Sequence, residues 1–420
     1  MKCGYGKEKI TPTPDTDLSG FGFYLDRKAT TVLDDLYAYS IVFENNGQKY
    51  LLVNCDLLGF TADLLSKTKS LLSRRLLMPA ENILVISTHT HTGPATANVV
   101  DCGERNDAYL EALSGLIAVS AEKAVEDLRE IQTIKTGLEE IFPIGYNRVG
   151  SGGMESHLVK TVLIKRANGS PVGIANYGCH PTSLSSASQV SADFPGRFVT
   201  AMAKNGVLAA FINAPCGDIN PLIQKAGKAT DITSDKYDEI ITTIDEYGKR
   251  LASAFREDTM AETNIYPIQM IGFTLPVQLR GLSYNELETI AADAEVKDNT
   301  WPGLSKSTRR YVEQMKMKIP MTKENAFIQV FFLGDIMIIG IPYETFTEIG
   351  LMIADAFPNK HVLVAGNANE VLGYLATAKK MEIGGYEAIE STYIYDRLPI
   401  ETGAGEKLAN DIVQTIKEMG

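Results

Sequence analysis

The sequence predicts an α/β fold, a mixed β-sheet core with flanking helices, laid out as one domain over residues 1–420. Three observations lead there. β-prone apolar runs come in hairpins, turned by Asn46-Gly47 and by Gly334-Asp335. Other strand-sized runs alternate with amphipathic helices, the pattern of βα units. Apolar residues make up 45% of the 420-residue chain and charged residues 22%, enough to bury a core without disulfides or a metal.

Taken in order, 37–43 is apolar and β-prone and 50–55 returns as its partner across Asn46-Gly47. Thr61 is placed as a helix N-cap ahead of Leu64, Leu65, Leu71, Leu72 and Leu76 at helical spacing. A strand over 83–87 follows, then a long helix over 107–130 with Leu110, Leu113, Ile117, Ala121, Ala124 and Leu128 on one side. Strands are expected at 161–165, 172–177 and 207–212, and a helix over 234–255. Residues 267–277 read as extended, 283–294 and 305–317 as helices with charged outer faces. The second hairpin joins 327–333 to 336–341, a last strand covers 361–366, and a helix over 404–418 closes the chain. The charged stretch 280–325 is the one compositional shift and reads as a helical surface subdomain.

Composition also excludes. The net charge is −12 with no Lys/Arg run, so neither nucleic acid nor an anionic membrane is an expected partner. No apolar run is long enough for a membrane span. The first residues, MKCGYGKEKITPTPD, lack the apolar stretch of an export signal. Cys3, Cys55, Cys102, Cys179 and Cys216 match no zinc knuckle or disulfide scaffold, so a cytoplasmic protein with reduced thiols is expected.

Histidine is scarce, five in all, and three of the five stand in two loop motifs. In Ser87-Thr88-His89-Thr90-His91-Thr92-Gly93-Pro94, an i, i+2 pair in extended chain turns both rings to one side, a recurring way to hold a transition metal. The plainer alternative is two polar loop histidines satisfied by backbone. In Asn176-Tyr177-Gly178-Cys179-His180-Pro181, His180 follows a strand, and Cys179 beside it faces the opposite way. Asp193, in Ser191-Ala192-Asp193-Phe194-Pro195-Gly196, can orient a histidine from behind or cap a helix. The loop Asn213-Ala214-Pro215-Cys216-Gly217-Asp218-Ile219-Asn220-Pro221 can offer backbone N–H groups to an anion or be a plain turn. No charge is evident near Cys216 to activate it as a nucleophile.

Together these motifs resemble the neutral/alkaline ceramidase family. The matching stretches are THTHTGP at 88–94, NR at 147–148, NYGCHPTSL at 176–184, SADFPG at 191–196, GDINP at 217–221, PYETFTEIG at 342–350 and GYEAIEST at 385–392, in the family's order. The resemblance implies a zinc (Zn²⁺) site with ligands at His89, His180, Glu344 and Tyr386. It further implies that His91 stands near the reacting carbonyl, that Arg148 holds a polar group of the substrate, and that Tyr374 is a second active-site tyrosine.

The chain departs from the family pattern. Asn220 stands where the family's GD-x-S-P motif carries a serine, and the family's C-terminal β-domain is expected to be absent. The functional expectation is a zinc-dependent hydrolase cleaving the C–N bond of a small-molecule amide with metal-activated water. Two alternatives are a true ceramidase or N-acyl-lipid amidase, which needs a long apolar groove, and a metal-dependent binding protein without turnover.

Overall fold

The computed structural model describes residues 1–22, 26–150, 153–184, 187–225, 234–297, 303–317 and 322–419. Their architecture is two β-sheets packed face to face with helices on both outer sides. The larger sheet contains β1 (Lys2–Lys9), β2 (Tyr37–Asn45), β3 (Gln48–Cys55), β4 (Ile83–Ser87), β5 (Arg129–Glu140), β6 (Leu158–Arg166), β7 (Val172–Tyr177) and β8 (Leu208–Asn213). Their spatial order is β8-β7-β6-β5-β1-β2-β3-β4, with the short strand Ala261–Glu262 on β5. The smaller sheet runs β9 (Ile268–Gln278), β10 (Lys323–Leu333), β11 (Ile336–Gly340) and β12 (His361–Ala365), in that order. Both sheets are mixed: β3/β4, β7/β8 and β11/β12 are parallel, while the hairpins are antiparallel.

Alternation along the strands sorts the side chains into layers. Tyr39, Ile41, Phe43, Leu52, Leu84 and Ile86 face the other sheet and meet Phe331, Leu333, Ile336, Ile338 and Leu363. The Phe43 and Phe331 ring centroids are 5.3 Å apart. The intervening residues Val42, Leu51, Val53 and Val85 pack under the helices α1 (Ala62–Leu76) and α2 (Asp107–Glu126). The helices α3 (Asp193–Lys204) and α4 (Ser234–Ser253) cover the β7/β8 end. The outer face of the small sheet carries α5 (Tyr284–Lys297), α6 (Leu304–Met317), α7 (Thr347–Asp355) and, past the short helices α8 (Ala378–Ile383) and α9 (Ser391–Tyr395), the closing α10 (Ala404–Met419). No helix among the described residues is long and apolar enough to cross a membrane.

Several expectations change. The helix expected over 107–130 ends at Glu126, because Arg129–Glu140 is captured as β5 by pairing with β1 and β6. β1 itself has no readable alternation, since Gly4, Gly6 and four lysine or glutamate side chains interrupt it. The charged stretch 280–325 supplies Leu287, Ala294, Leu304, Tyr311 and Val312 to the same apolar cluster as β10 and α10. Its parts 298–302 and 318–321 lie outside the described residues.

The carboxyl ends of the parallel strands lie together, where α/β proteins collect ligands. The seam between the sheets is tied there. Asn176 donates to the carbonyls of Ile212 and Val364 at 3.1 and 3.0 Å, and Ile86 bridges to Ala368.

Candidate metal centre

Each key residue follows a strand end. His89 and His91 leave β4, His180 leaves β7, Asn220 lies beyond β8, Glu344 follows β11, and Tyr374 follows β12. The His89–His91 pair does not use the extended geometry that the i, i+2 spacing suggested. His89 has a left-handed backbone, φ 70°, and its N–H donates to Leu57 O at 2.9 Å. The two rings still meet, with centroids 4.9 Å apart, because this turn folds the loop back on itself. Backbone strain at a non-glycine residue is a feature of functional sites.

His89, His91 and His180 form one buried group whose ligand nitrogens lie within 4.8 Å of one another, and it could hold a metal ion. His91, expected to stand apart from the ligands, belongs to this group by position. Each ring is held the same way. Nδ1 faces a backbone carbonyl: Leu58 O at 2.7 Å for His89, Gly20 O at 2.6 Å for His91, Ile219 O at 3.1 Å for His180. A carbonyl only accepts, so Nδ1 carries the hydrogen and Nε2 of the neutral ring is a bare lone pair. Burial, then the neighbouring His89 and His180 rings, holds His91 well below the ordinary histidine range. Burial, then Arg148, lowers His180 to about 4.

Glu344 closes the ring of donors. Its Oε2 lies 2.9 Å from His180 Nε2 and 3.3 Å from His89 Nε2, and the side chain is buried. Lone pairs facing a carboxylate oxygen in a dry interior repel unless a cation stands among them. Imidazole nitrogens beside a carboxylate oxygen are a donor set that suits a divalent transition metal.

Beside this group stands Arg148. Its Nε donates to Glu387, Nη1 to Asn220 Oδ1 and Nη2 to the Tyr374 hydroxyl, each at 2.9 Å. Asn220 reaches it because Ile219–Pro221 pairs antiparallel with Gly145–Asn147. Tyr374 lies in register with Glu344, and its ring stacks on His180 at 6.4 Å. The ring of Tyr386 contacts Tyr374 at 5.7 Å.

Two expectations are corrected. Asp193 makes no hydrogen bond to a histidine; it accepts from the backbone N–H of Ser183 at 2.7 Å and of Phe194 at 2.6 Å. Its role is to clamp the loop after His180 onto the start of α3. The 213–221 loop does not offer its N–H groups to an anion at the points described. Ala214, Gly217 and Ile219 donate to Tyr177, Thr345 and Cys216 carbonyls. The loop acts through Ile219 O, which orients His180, and through Asp218, which accepts from Thr347 N–H at 2.8 Å and from Asn147 at 2.8 Å. Cys179 and Cys216 are buried free thiols, and burial pushes both well above the ordinary thiol range, which argues against a nucleophile.

Sequence reasoning missed Asp218, Glu387 and Tyr395. The first two lie inside quoted motifs. Tyr395, which donates to Glu344 Oε1, lies three residues beyond the last motif. The helix that carries it follows a π-helical turn at Tyr386–Glu390, a feature often found at functional sites and invisible to a 3.6-residue period.

No family model matches the chain, and no curated protein matches it in sequence. Solved structures that share its fold include two ceramidases. The neutral ceramidase of Pseudomonas aeruginosa aligns with all of this chain and 74% of its own, with 19% identity and a TM-score of 0.74. A ceramidase complexed with C2 aligns with all of this chain and 75% of its own, with 18% identity and a TM-score of 0.76. The mixed-sheet architecture is therefore that of the neutral ceramidases.

Proposed function

We propose that the protein is a zinc-dependent hydrolase that cleaves the C–N bond of a small-molecule amide, in the manner of a neutral ceramidase. The observation that carries this reading is the buried group of three imidazoles, each locked by a carbonyl at Nδ1, in which the Nε2 atoms of His89 and His180 face Glu344 Oε2. The buried Nε2 of His89, which has no hydrogen-bond partner among the described residues, supports a cation as the missing partner.

His89, His180 and Glu344 would hold the ion, with a tyrosine as fourth ligand. The resemblance implies Tyr386 for that place. Tyr374 is a second candidate, favoured by its stacking on His180 and by the Arg148 nitrogen at 2.9 Å that would offset phenolate charge. Zinc held there would supply Lewis acidity and would activate water as a nucleophile near neutral pH. The protein's own groups do the rest. His91, the most exposed of the three histidines at 9%, faces the reacting carbonyl and donates or receives a proton there. Arg148, held rigid by three partners, orients a polar or anionic group of the substrate. Asn220 has its Oδ1 engaged by Arg148, so its amide hydrogens are the atoms free to meet a substrate oxygen. A soluble amide in the cytoplasm is the substrate this reading expects, with N-acyl lipids as the alternative.

The test is elemental analysis of the purified protein, paired with hydrolysis assays on N-acyl substrates of graded chain length. His89→Ala and His180→Ala are expected to abolish metal binding, whereas His91→Ala keeps the metal and removes activity. An equal loss of metal in His91→Ala would make His91 a ligand. A metal-loaded protein that turns over no amide would favour the binding-protein alternative.

A further inference from the structure

We propose that Tyr395 is the positioning residue that fixes Glu344 in its metal-facing orientation. The inference rests on the reading of Glu344 as a ligand and adds a residue that the sequence motifs do not reach.

A glutamate carboxylate turns easily about its last torsion, whose energy profile is broad. Only Oε2 of Glu344 faces the imidazoles, so something must hold Oε1 away from them. The Tyr395 hydroxyl does so by donating to Oε1. A phenol that donates to one oxygen of a ligating carboxylate sets its rotation and leaves the other oxygen free to bind. It also satisfies an acceptor that is otherwise buried, since Glu344 is 2% exposed.

Tyr395 is itself held in place. It is the last residue of α9, and the chain reverses directly after it through Asp396, φ 52°. Arg397 then bonds to Leu372 O and pairs with Glu324 at 3.2 Å. That anchor lies two residues before Tyr374, so the backbone carrying Tyr395 is tied to the backbone carrying Tyr374. The Tyr374 and Tyr395 ring centroids are 6.5 Å apart. Tyr395 also lines a groove of about 360 Å³ with Phe60, Arg105, Glu370 and Arg397. Tyr395→Phe removes the hydroxyl and keeps the ring that packs beside Tyr374.

The experiment is a double-mutant cycle read as zinc affinity, by competition with a chromophoric chelator, for wild type, Tyr395→Phe, Glu344→Gln and the double variant. Tyr393→Phe, a buried tyrosine packed on Tyr311, is the control. Tyr395→Phe is expected to weaken zinc binding by about 10–100-fold, the usual effect of removing a ligand's outer partner. It is expected to add no further loss in the Glu344→Gln background, and Tyr393→Phe is expected to leave affinity unchanged. Wild-type affinity in Tyr395→Phe overturns the proposal. An equal loss in both backgrounds also overturns it, because Tyr395 would then act on the fold rather than through Glu344. A wild-type protein that takes up no zinc overturns the metal-centre reading together with it.

Discussion

Asn220 sits where the family motif carries a serine, and its contact with Arg148 decides what that change does. Arg148 donates to Asn220 Oδ1 at 2.9 Å, so that contact uses the carbonyl end of the carboxamide and leaves its NH₂ out of it. It can then replace a hydroxyl as a donor. Asn220→Ala is expected to lower kcat by roughly 10²–10³-fold, the usual effect of losing one hydrogen bond to a developing oxyanion, while Asn220→Ser remains active. Steady-state assays on one amide check this. An inert native protein beside an active Asn220→Ser variant would sink the hydrolase reading.

Asp56 makes a prediction about stability rather than chemistry. Its Oδ2 accepts from Tyr37 N–H at 3.0 Å and Tyr39 O–H at 3.1 Å, yet Oδ1 has no hydrogen-bond partner among the described residues. Burial raises its pKa from 3.8 to about 7. In the unfolded chain the carboxyl ionises first, so between pH 4 and pH 7 the folded state binds more protons and stability falls as pH rises. Asp193, raised to about 6, adds a slope of the same sign, so only comparison with a variant isolates Asp56. Asp56→Asn is expected to melt higher than wild type at pH 8 and to show a shallower decline in Tm from pH 5 to pH 8. Thermal melts across that range are the check, and identical slopes would exclude the assignment.

At the scale of elements, the contact of β1 with α2 depends on missing side chains. A Cβ on Gly4 would lie 1.9 Å from Ala124 O, and one on Gly6 1.9 Å from Ser120 O. The helix backbone therefore rests directly on the strand. Gly6→Ala is expected to destabilise by about 3 kcal/mol, the upper end of overpacking effects. Gly115, on the same helix, has nothing within 4 Å of its missing Cβ, and Gly115→Ala is expected to stabilise by about 0.5–1 kcal/mol. Urea unfolding of both variants tests the pair; the same sign for both would refute the packing argument. The same elements show what local pattern cannot see. Asn46-Gly47 and Gly334-Asp335 announced their hairpins because turn chemistry is local. β1 and β5 were hidden because their partners are distant: Cys3 pairs with both Phe43 and Arg129.

At the scale of the whole molecule, the proposed ligands follow strands of both sheets, His89 and His180 after strands of the larger and Glu344 after β11 of the smaller. A metal bound to all three would clamp the sheets at their seam. Zinc is therefore expected to raise Tm and a chelator to lower it, with about 2.7 kcal/mol gained when free zinc is 100 times its Kd. Calorimetry that returns one Tm with and without zinc would refute the clamp. The amino-acid sequence alone determined the alternation of strands and helices, the position of THTHTGP and CHP at strand ends, and the order of the seven motifs, because each depends on residues near one another in the chain. Only the tertiary structure decided that His91 joins the other two histidines, that Asp193 bonds backbone instead of imidazole, and that Tyr395 meets Glu344. Those contacts depend on how two sheets stack and on how loops far apart in the chain meet at their seam, and neither leaves a periodic trace in the residues that make them.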